Sequence, residues 1–181
     1  NVTAEDIDTV NGSITIGARS KVASIDTVNG SVTLDDGVTA DAIESVNGRM
    51  NLGAGVRVGG DVTAVNGSMT LGRGAHVGGN LENVNGSMEL NAARVDGRLK
   101  TKNGDITVGS NSRVGGGMLV EKPNMGWFNR NSRNPKIVIG PNAIVEGTLT
   151  FEREVDLYVS ETAQVGKIEG ASAVRFSGER P

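Results

Sequence analysis

The chain has 181 residues, a net charge of −3 at neutral pH and no cysteine, so it can form neither a disulfide nor a thiolate metal site. The acidic balance argues against a dedicated nucleic-acid-binding protein. Glycine is abundant at 27 residues, aromatic residues make up 3%, and no apolar run is long enough to predict a transmembrane segment.

A seven-residue phrase, first seen as Val-Asn-Gly-Ser-Ile-Thr-Ile from residue 10, occurs six times with small changes. Successive copies lie 18 or 19 residues apart. A fixed period near this length indicates a solenoid, in which each repeat stacks on its neighbours. The Asn-Gly pairs of the six copies begin at Asn11, Asn29, Asn47, Asn66, Asn85 and Asn103.

Each copy ends in an apolar-polar-apolar triplet such as Met69-Thr70-Leu71, which predicts a short strand with one buried face. A finer beat of six residues links positions such as Val22, Val28 and Leu34. Three steps of six make one rung with three short sides. The beat also implies that the valine before each Asn-Gly faces the core. Lys102 replaces that valine in the sixth copy, and we expect it to bury its stem and extend its ammonium to solvent.

These patterns predict an all-β fold, a parallel β-helix (three-sided β-solenoid) of about nine rungs of 18–19 residues that forms one domain over residues 1–181. Asn-Gly is also a frequent hairpin turn. The segments before each pair are too short to serve as hairpin arms, so we interpret the pairs as solenoid corners. Both residues tolerate a left-handed backbone, and asparagines stacked at one corner are able to hydrogen-bond to one another.

The regular pattern breaks at residues 121–136, which contain two of the four prolines and the only tryptophan. We interpret this stretch as a loop inserted at a corner, and solenoid insertions often lie on a binding face. Aromatic residues flanked by cations suit an anionic glycan or a partner protein. Alternatively, the aromatic pair covers an apolar flank of the coil. The candidate contact residues are Lys122, Trp127, Phe128, Arg130, Arg133 and Lys136.

Charge is unevenly distributed along the chain. Residues 1–48 carry eight acids and two bases, residues 49–145 carry six acids and twelve bases, and residues 146–181 carry seven acids and four bases. A straight coil would therefore be acidic, basic and acidic along its axis. A solvated surface accounts for such a pattern, and electrostatic docking is the alternative.

The phrase apolar-x-apolar-Gly-x-x-Ala-x-Val-x-Gly runs from Met69 to Gly79 and from Ile137 to Gly147. It resembles the bactofilins, a bacterial polymer-forming cytoskeletal family. The resemblance implies a right-handed, three-sided β-helix that polymerises end to end without nucleotide. The Val-Asn-Gly-Ser phrases also resemble bacterial adhesin-type β-solenoids, which are extracytoplasmic. The Asn-Gly corners and the insertion depart from the bactofilin pattern.

The six-residue beat is also similar to that of the hexapeptide-repeat acyltransferases. That family favours small residues where this chain has, for example, Met50 and Leu81, and acyl transfer usually needs a histidine base. The only histidine, His76, is expected to point outward because its neighbour Val77 points inward. Carboxylates are scattered and the calcium-binding glycine-aspartate repeat is absent, so we expect no enzyme activity, cofactor or metal.

Two functions remain open. The first is a non-enzymatic structural protein of the bacterial cell envelope that self-associates through the solenoid ends, where backbone groups are unpaired. The second is an adhesin-like module that binds an envelope glycan or protein through residues 122–136. Because the sequence starts at Asn1, we expect an extracytoplasmic location, in the periplasm or at the cell surface, with a leader removed. The cytoplasmic face of the membrane is the alternative.

Overall fold

The computed structural model describes residues 2–122 and 133–181, and every regular element within these ranges is a β-strand. Twenty-seven short strands form three parallel sheets of nine strands each. The chain visits the three sheets in turn, so each rung contributes one strand to each sheet. This confirms the predicted parallel β-helix of about nine rungs and excludes hairpins at the Asn-Gly pairs.

The strand bounds differ among the three sheets, which we call A, B and C. Sheet A contains β1 (Thr3–Ala4), β4 (Lys21–Val22), β7 (Thr39–Ala40), β10 (Arg57–Val58), β13 (His76–Val77), β16 (Arg94–Val95), β19 (Arg113–Val114), β22 (Ile144–Val145) and β25 (Gln164–Val165). Sheet B contains β2 (Ile7–Asn11), β5 (Ser24–Asn29), β8 (Ala42–Asn47), β11 (Val62–Asn66), β14 (Leu81–Asn85), β17 (Leu99–Thr101), β20 (Met118–Val120), β23 (Leu149–Phe151) and β26 (Ile168–Glu169). Sheet C contains β3 (Ile14–Ile16), β6 (Val32–Leu34), β9 (Met50–Leu52), β12 (Met69–Leu71), β15 (Met88–Leu90), β18 (Ile106–Val108), β21 (Lys136–Ile139), β24 (Asp156–Ser160) and β27 (Ala173–Phe176).

The interior is a set of columns in which like residues stack on like. On sheet C, Met50, Met69 and Met88 pair in register and are 0% exposed. Most other inward positions hold valine, isoleucine, leucine or alanine, which agrees with the low aromatic content. One inward column of sheet B is polar instead, and it includes the buried side chains of Thr27, Ser45, Asn83 and Thr101.

The valine before each Asn-Gly faces outward, so the inward orientation implied by the six-residue beat is wrong. Val10 is 63% exposed, Val28 40% and Val46 39%. The early strands of sheet B have five or six residues, and alternation from the buried Ile25 turns Val28 outward. Positions six residues apart therefore include both inward side chains, such as Val22, and outward ones, such as Val28. Lys102 takes the same outer position, and its ammonium lies 3.4 Å from Glu121 on the surface of the coil.

All three ladders continue across the insertion. Ile106 on β18 pairs with Ile137 on β21, 31 positions later, and Met118 on β20 pairs with Leu149 on β23. The last strand before the insertion, β20, belongs to sheet B and the next strand, β21, to sheet C, so the insertion occurs at the corner that Asn-Gly occupies in the first six rungs.

Candidate functional site

The six corner asparagines form a continuous ladder of side-chain hydrogen bonds. Each Nδ2 donates to the Oδ1 of the asparagine one rung earlier, at 2.9–3.1 Å from Asn29 to Asn103. None of the six has a positive φ, so the corner does not use the left-handed backbone that asparagine tolerates. The side-chain ladder is what asparagine contributes to this corner.

The glycine of each pair after the first is required mainly by the stacking of the rungs. A Cβ added to Gly48, Gly67 or Gly86 would collide with the carbonyl oxygen of the corner glycine one rung earlier, and each of these glycines also has a positive φ. A corner with any side chain at this position could not stack at the spacing of a sheet.

The asparagine ladder ends next to the insertion. Arg153 donates from Nη1 to Asn103 Oδ1 at 3.0 Å and to the Lys102 carbonyl at 3.2 Å. Arg153 lies in the rung that follows the insertion, so its side chain reaches back past that rung to the last corner asparagine. The Arg153 guanidinium thus donates to the amide oxygen of Asn103, which a seventh asparagine in the ladder would otherwise hydrogen-bond.

The predicted loop residues fall into two groups. Trp127, Phe128 and Arg130 lie outside the described residues. Lys122, Arg133 and Lys136 flank the insertion on its two sides.

The two stems of the insertion are held by carboxylates on neighbouring rungs. The Lys122 backbone N–H donates to Glu152 at 3.3 Å. Asp105 accepts from the Lys136 backbone N–H at 2.8 Å and from Arg133 Nη2 at 2.6 Å. The Lys136 ammonium lies 5.1 Å from the centre of the Tyr158 ring. Part of the predicted basic charge is therefore neutralised at the base of the loop.

The first rung leaves three of its inward side chains only half-buried, although the residue that pairs with each of them on the next rung is at most 1% exposed. These side chains are Ala4, Ile7 and Ile16. The apolar core is thus open at the N-terminal end of the coil, within the part of the chain that the structure describes.

The last rung also leaves Val165, Ile168 and Ala173 half-buried, but one position of its apolar columns holds a charged side chain. Arg175 pairs with Val159 in a column that is otherwise apolar, and it donates to the Ser160 carbonyl at 3.2 Å.

The C-terminal residues do not cover this end. Glu179, Arg180 and Pro181 share a groove with Thr107 and Val138 on the outer face of sheet C.

The outer face of sheet B carries two parallel rows in its first rungs. The acidic row consists of Asp8, Asp26 and Glu44, and the valine row consists of Val10, Val28, Val46 and Val65. Both rows line a groove of about 470 Å³. Sequence reasoning missed this surface, although the alternation Ile25-Asp26-Thr27-Val28 was enough to place Val28 outside.

The same face is electrostatically paired in the later rungs. Lys100 Nζ lies 3.1 Å from Glu121 and 3.8 Å from Glu82, and Lys102 Nζ lies 3.4 Å from Glu121. The hydrogen bond to Glu121 raises the pKa of Lys100. Burial works to raise the pKa of Glu121, but Lys100 and Lys102 hold it below its usual value.

A basic row on the outer face of sheet A includes the single histidine. Arg57, His76, Arg94 and Arg113 succeed one another in register. His76 Nε2 lies 2.8 Å from Asp96 Oδ2, and Arg94 Nε lies 2.5 Å from the other oxygen of that carboxylate. The hydrogen bond with His76 lowers the pKa of Asp96, and Arg94 adds to the effect. The geometry is that of a surface ion-pair network.

Among residues 2–122 and 133–181, no three histidine, aspartate or glutamate side chains are grouped to hold a metal ion. That part of the chain also contains no helix with the length and apolarity needed to cross a bilayer. No protein-family model matches the sequence, and neither the curated proteins nor the solved structures include a significant match.

Proposed function

We propose that this chain is a non-enzymatic structural β-solenoid that assembles end to end. The observation that carries the proposal is the open core at both ends of the coil. A second feature, the resemblance to bactofilins and adhesin-type solenoids, supports a bacterial cell-envelope setting and a location outside the cytoplasm.

Exposed end rungs favour association for two physical reasons. The outermost strands of three parallel sheets present unpaired backbone N–H and C=O groups, which are a template for another chain. Half-buried isoleucines such as Ile7 and Ile168 gain further burial when a second rung stacks on them, at about 25 cal/mol per Å² of apolar surface. Solenoids that remain monomeric usually cover such ends with capping repeats.

Head-to-tail stacking would continue every sheet in register. The columns then place Lys167 of one copy beside Asp6 of the next, which is favourable, and Glu169 beside Asp8, which is not. Salt screens the repulsion between the two carboxylates. Salt also screens the attraction between Lys167 and Asp6, so we expect assembly that depends mainly on protein concentration.

The test is light scattering with negative-stain electron microscopy across a concentration and salt series. We expect filaments of uniform width for the wild type. Ile168→Glu should remain monomeric because it places a charge in the stacked core. The matched control is Val174→Glu, since Val174 is 57% exposed on the outer face of the same rung. Monomers at every concentration, or equal assembly of both variants, would contradict the proposal.

The charge at the C-terminal end provides a gain-of-function test. Arg175→Val removes a guanidinium from an otherwise apolar column, so we expect filaments to form at a lower protein concentration than for the wild type. An unchanged concentration threshold would show that this end does not enter the contact.

A second candidate function is adhesin-like binding of an envelope glycan or protein through residues 122–136. The observation that favours it is the fixation of both stems by Glu152 and Asp105, which presents the insertion at a defined corner. Replacing residues 123–132 with a short glycine-serine linker should abolish binding on a glycan array and leave thermal unfolding intact. Unchanged binding after this replacement would exclude the loop as the contact site.

A further inference from the structure

The acidic and valine rows form a two-sided strip along the axis of the coil. Within one strand the carboxylate and the valine are two residues apart, or about 6.6 Å. Successive rungs repeat the pair every 4.8 Å or so. Thr27 and Ser45, whose side chains are buried, also line the groove between the rows. The strip thus offers an apolar edge over four rungs and an anionic edge over three.

The carboxylates of the strip lack the partners that the same column has farther along. Among the described residues, Asp8, Asp26 and Glu44 form no ion pair. Burial raises the pKa of Asp26, and the charges of Glu44 and Asp8 raise it further. Uncompensated like charges beside exposed valines are unfavourable in the free protein, and a cationic apolar partner would relieve both conditions.

We propose that this strip is a docking surface for a cationic amphipathic helix that lies along the solenoid axis. The lysine or arginine side of the helix would face the acidic row, and its apolar side would cover the valine row. The surface lies on the side of the coil, so this inference is independent of end-to-end assembly.

The helical form of the partner follows from spacing. A helix places side chains on one face at intervals of about 5.4 Å, close to the rung spacing of about 4.8 Å. The drift over four rungs is only about 2 Å, which long lysine and arginine side chains can absorb. An extended peptide repeats one face about every 6.6 Å and falls out of register within two rungs.

The acidic charge around the strip favours a partner of positive net charge. The first 48 residues carry eight acids and two bases, so an anionic helix or an anionic polymer would be repelled from this part of the coil. A purely cationic chain without an apolar face would leave the valines exposed. The combined strip therefore favours a partner with both properties.

The experiment uses a fluorescein-labelled helix of about 18 leucine and lysine residues, arranged with one apolar face, and measures fluorescence anisotropy with the full chain. We expect saturable binding that weakens between about 0.02 M and about 0.5 M salt. Val28→Ser combined with Val46→Ser should weaken binding about tenfold or more. Asp26→Asn combined with Glu44→Gln should weaken it similarly and reduce the salt dependence.

Two controls separate this site from general attraction to an acidic protein. Val174→Ser and Glu89→Gln make the same kinds of change on the outer face of sheet C and should leave the affinity unchanged. A scrambled peptide of equal composition, without an apolar face, should bind more weakly than the amphipathic one. Equal affinities for the two peptides, or for the valine variant and the wild type, would overturn the proposal. Thermal unfolding checks that each variant is folded.

Discussion

The outer face of sheet B presents two halves that share one architecture and differ in charge. In rungs 1–3 the outward position holds Asp8, Asp26 and Glu44 without ion pairs among the described residues, beside exposed valines. In rungs 5–7 the equivalent face holds Glu82 and Lys100 in an ion-paired network. The inward column that runs from Ile7 through Ile43 and Leu81 to Leu99 stays apolar throughout, so stacking constrains the inside of the coil and leaves the outside available for partners.

A substitution in the interior should have the largest effect on stability, because both halves of the coil share that core. Met69→Asp places a charge in a column where Met50 and Met88 are its neighbours, so we expect a loss of about 4 kcal/mol or more in unfolding free energy. Chemical denaturation monitored by circular dichroism measures it. Thr33→Asp, on the outer face of β6, is the control and should change stability by less than about 1 kcal/mol. A larger loss for Thr33→Asp than for Met69→Asp would mean that the two faces are assigned the wrong way round.

The Asn-Gly corner also supports both halves, and a methyl group should disrupt it. Gly86→Ala would bring its Cβ into the Gly67 carbonyl at a positive φ, so we expect destabilisation well above about 1 kcal/mol. Gly17→Ala is the matched control, because open space surrounds that position and its φ is not positive. Thermal melts should show Gly17→Ala at or slightly above wild-type stability. A neutral Gly86→Ala would disprove the stacking constraint at the corner.

Lys100→Met should make the paired half resemble the unpaired half. The lysine is 34% exposed, so we expect a loss of only about 0.5–1 kcal/mol at neutral pH. Because Lys100 helps to lower the pKa of Glu121, its stabilising contribution is present above the ordinary carboxyl pKa and is lost as pH falls through the folded-state pKa. The difference between variant and wild type should therefore shrink on acidification. A difference that does not vary with pH would assign the loss to packing of the lysine stem.

Asp26→Asn should give a smaller effect of opposite sign in the unpaired half. Because the pKa of Asp26 is raised in the folded protein, protonation of this carboxyl stabilises the fold. That stability is lost as pH rises through the folded-state pKa. We expect the variant to be more stable than the wild type by a few tenths of a kcal/mol at neutral pH. The two should converge below the ordinary carboxyl pKa. Destabilisation at neutral pH would indicate that Asp26 has a favourable partner.

Much of the coil could be predicted from single residues and their spacing. Met69 was placed in the core from its alternation with Thr70, and the corner asparagines from their period of 18 or 19 residues. Val28 was misplaced because an apolar residue at a regular interval resembles a core position. The alternation Ile25-Asp26-Thr27-Val28 already indicates that Val28 faces outward, and the length of the sheet B strand confirms it. The actual role of glycine at the corner was also missed, since it depends on the rung beneath.

The sequence by itself determined the repeat, the parallel coil and the apolar columns, because these follow from residues a fixed distance apart in one chain. The tertiary structure decided which side chains meet across rungs. Asp26 faces Asp8 and Glu44, Arg153 reaches Asn103, and Arg175 ends an apolar column. These contacts join residues 15 to 50 positions apart, or sum charges over several rungs, so they appear only when the rungs are stacked.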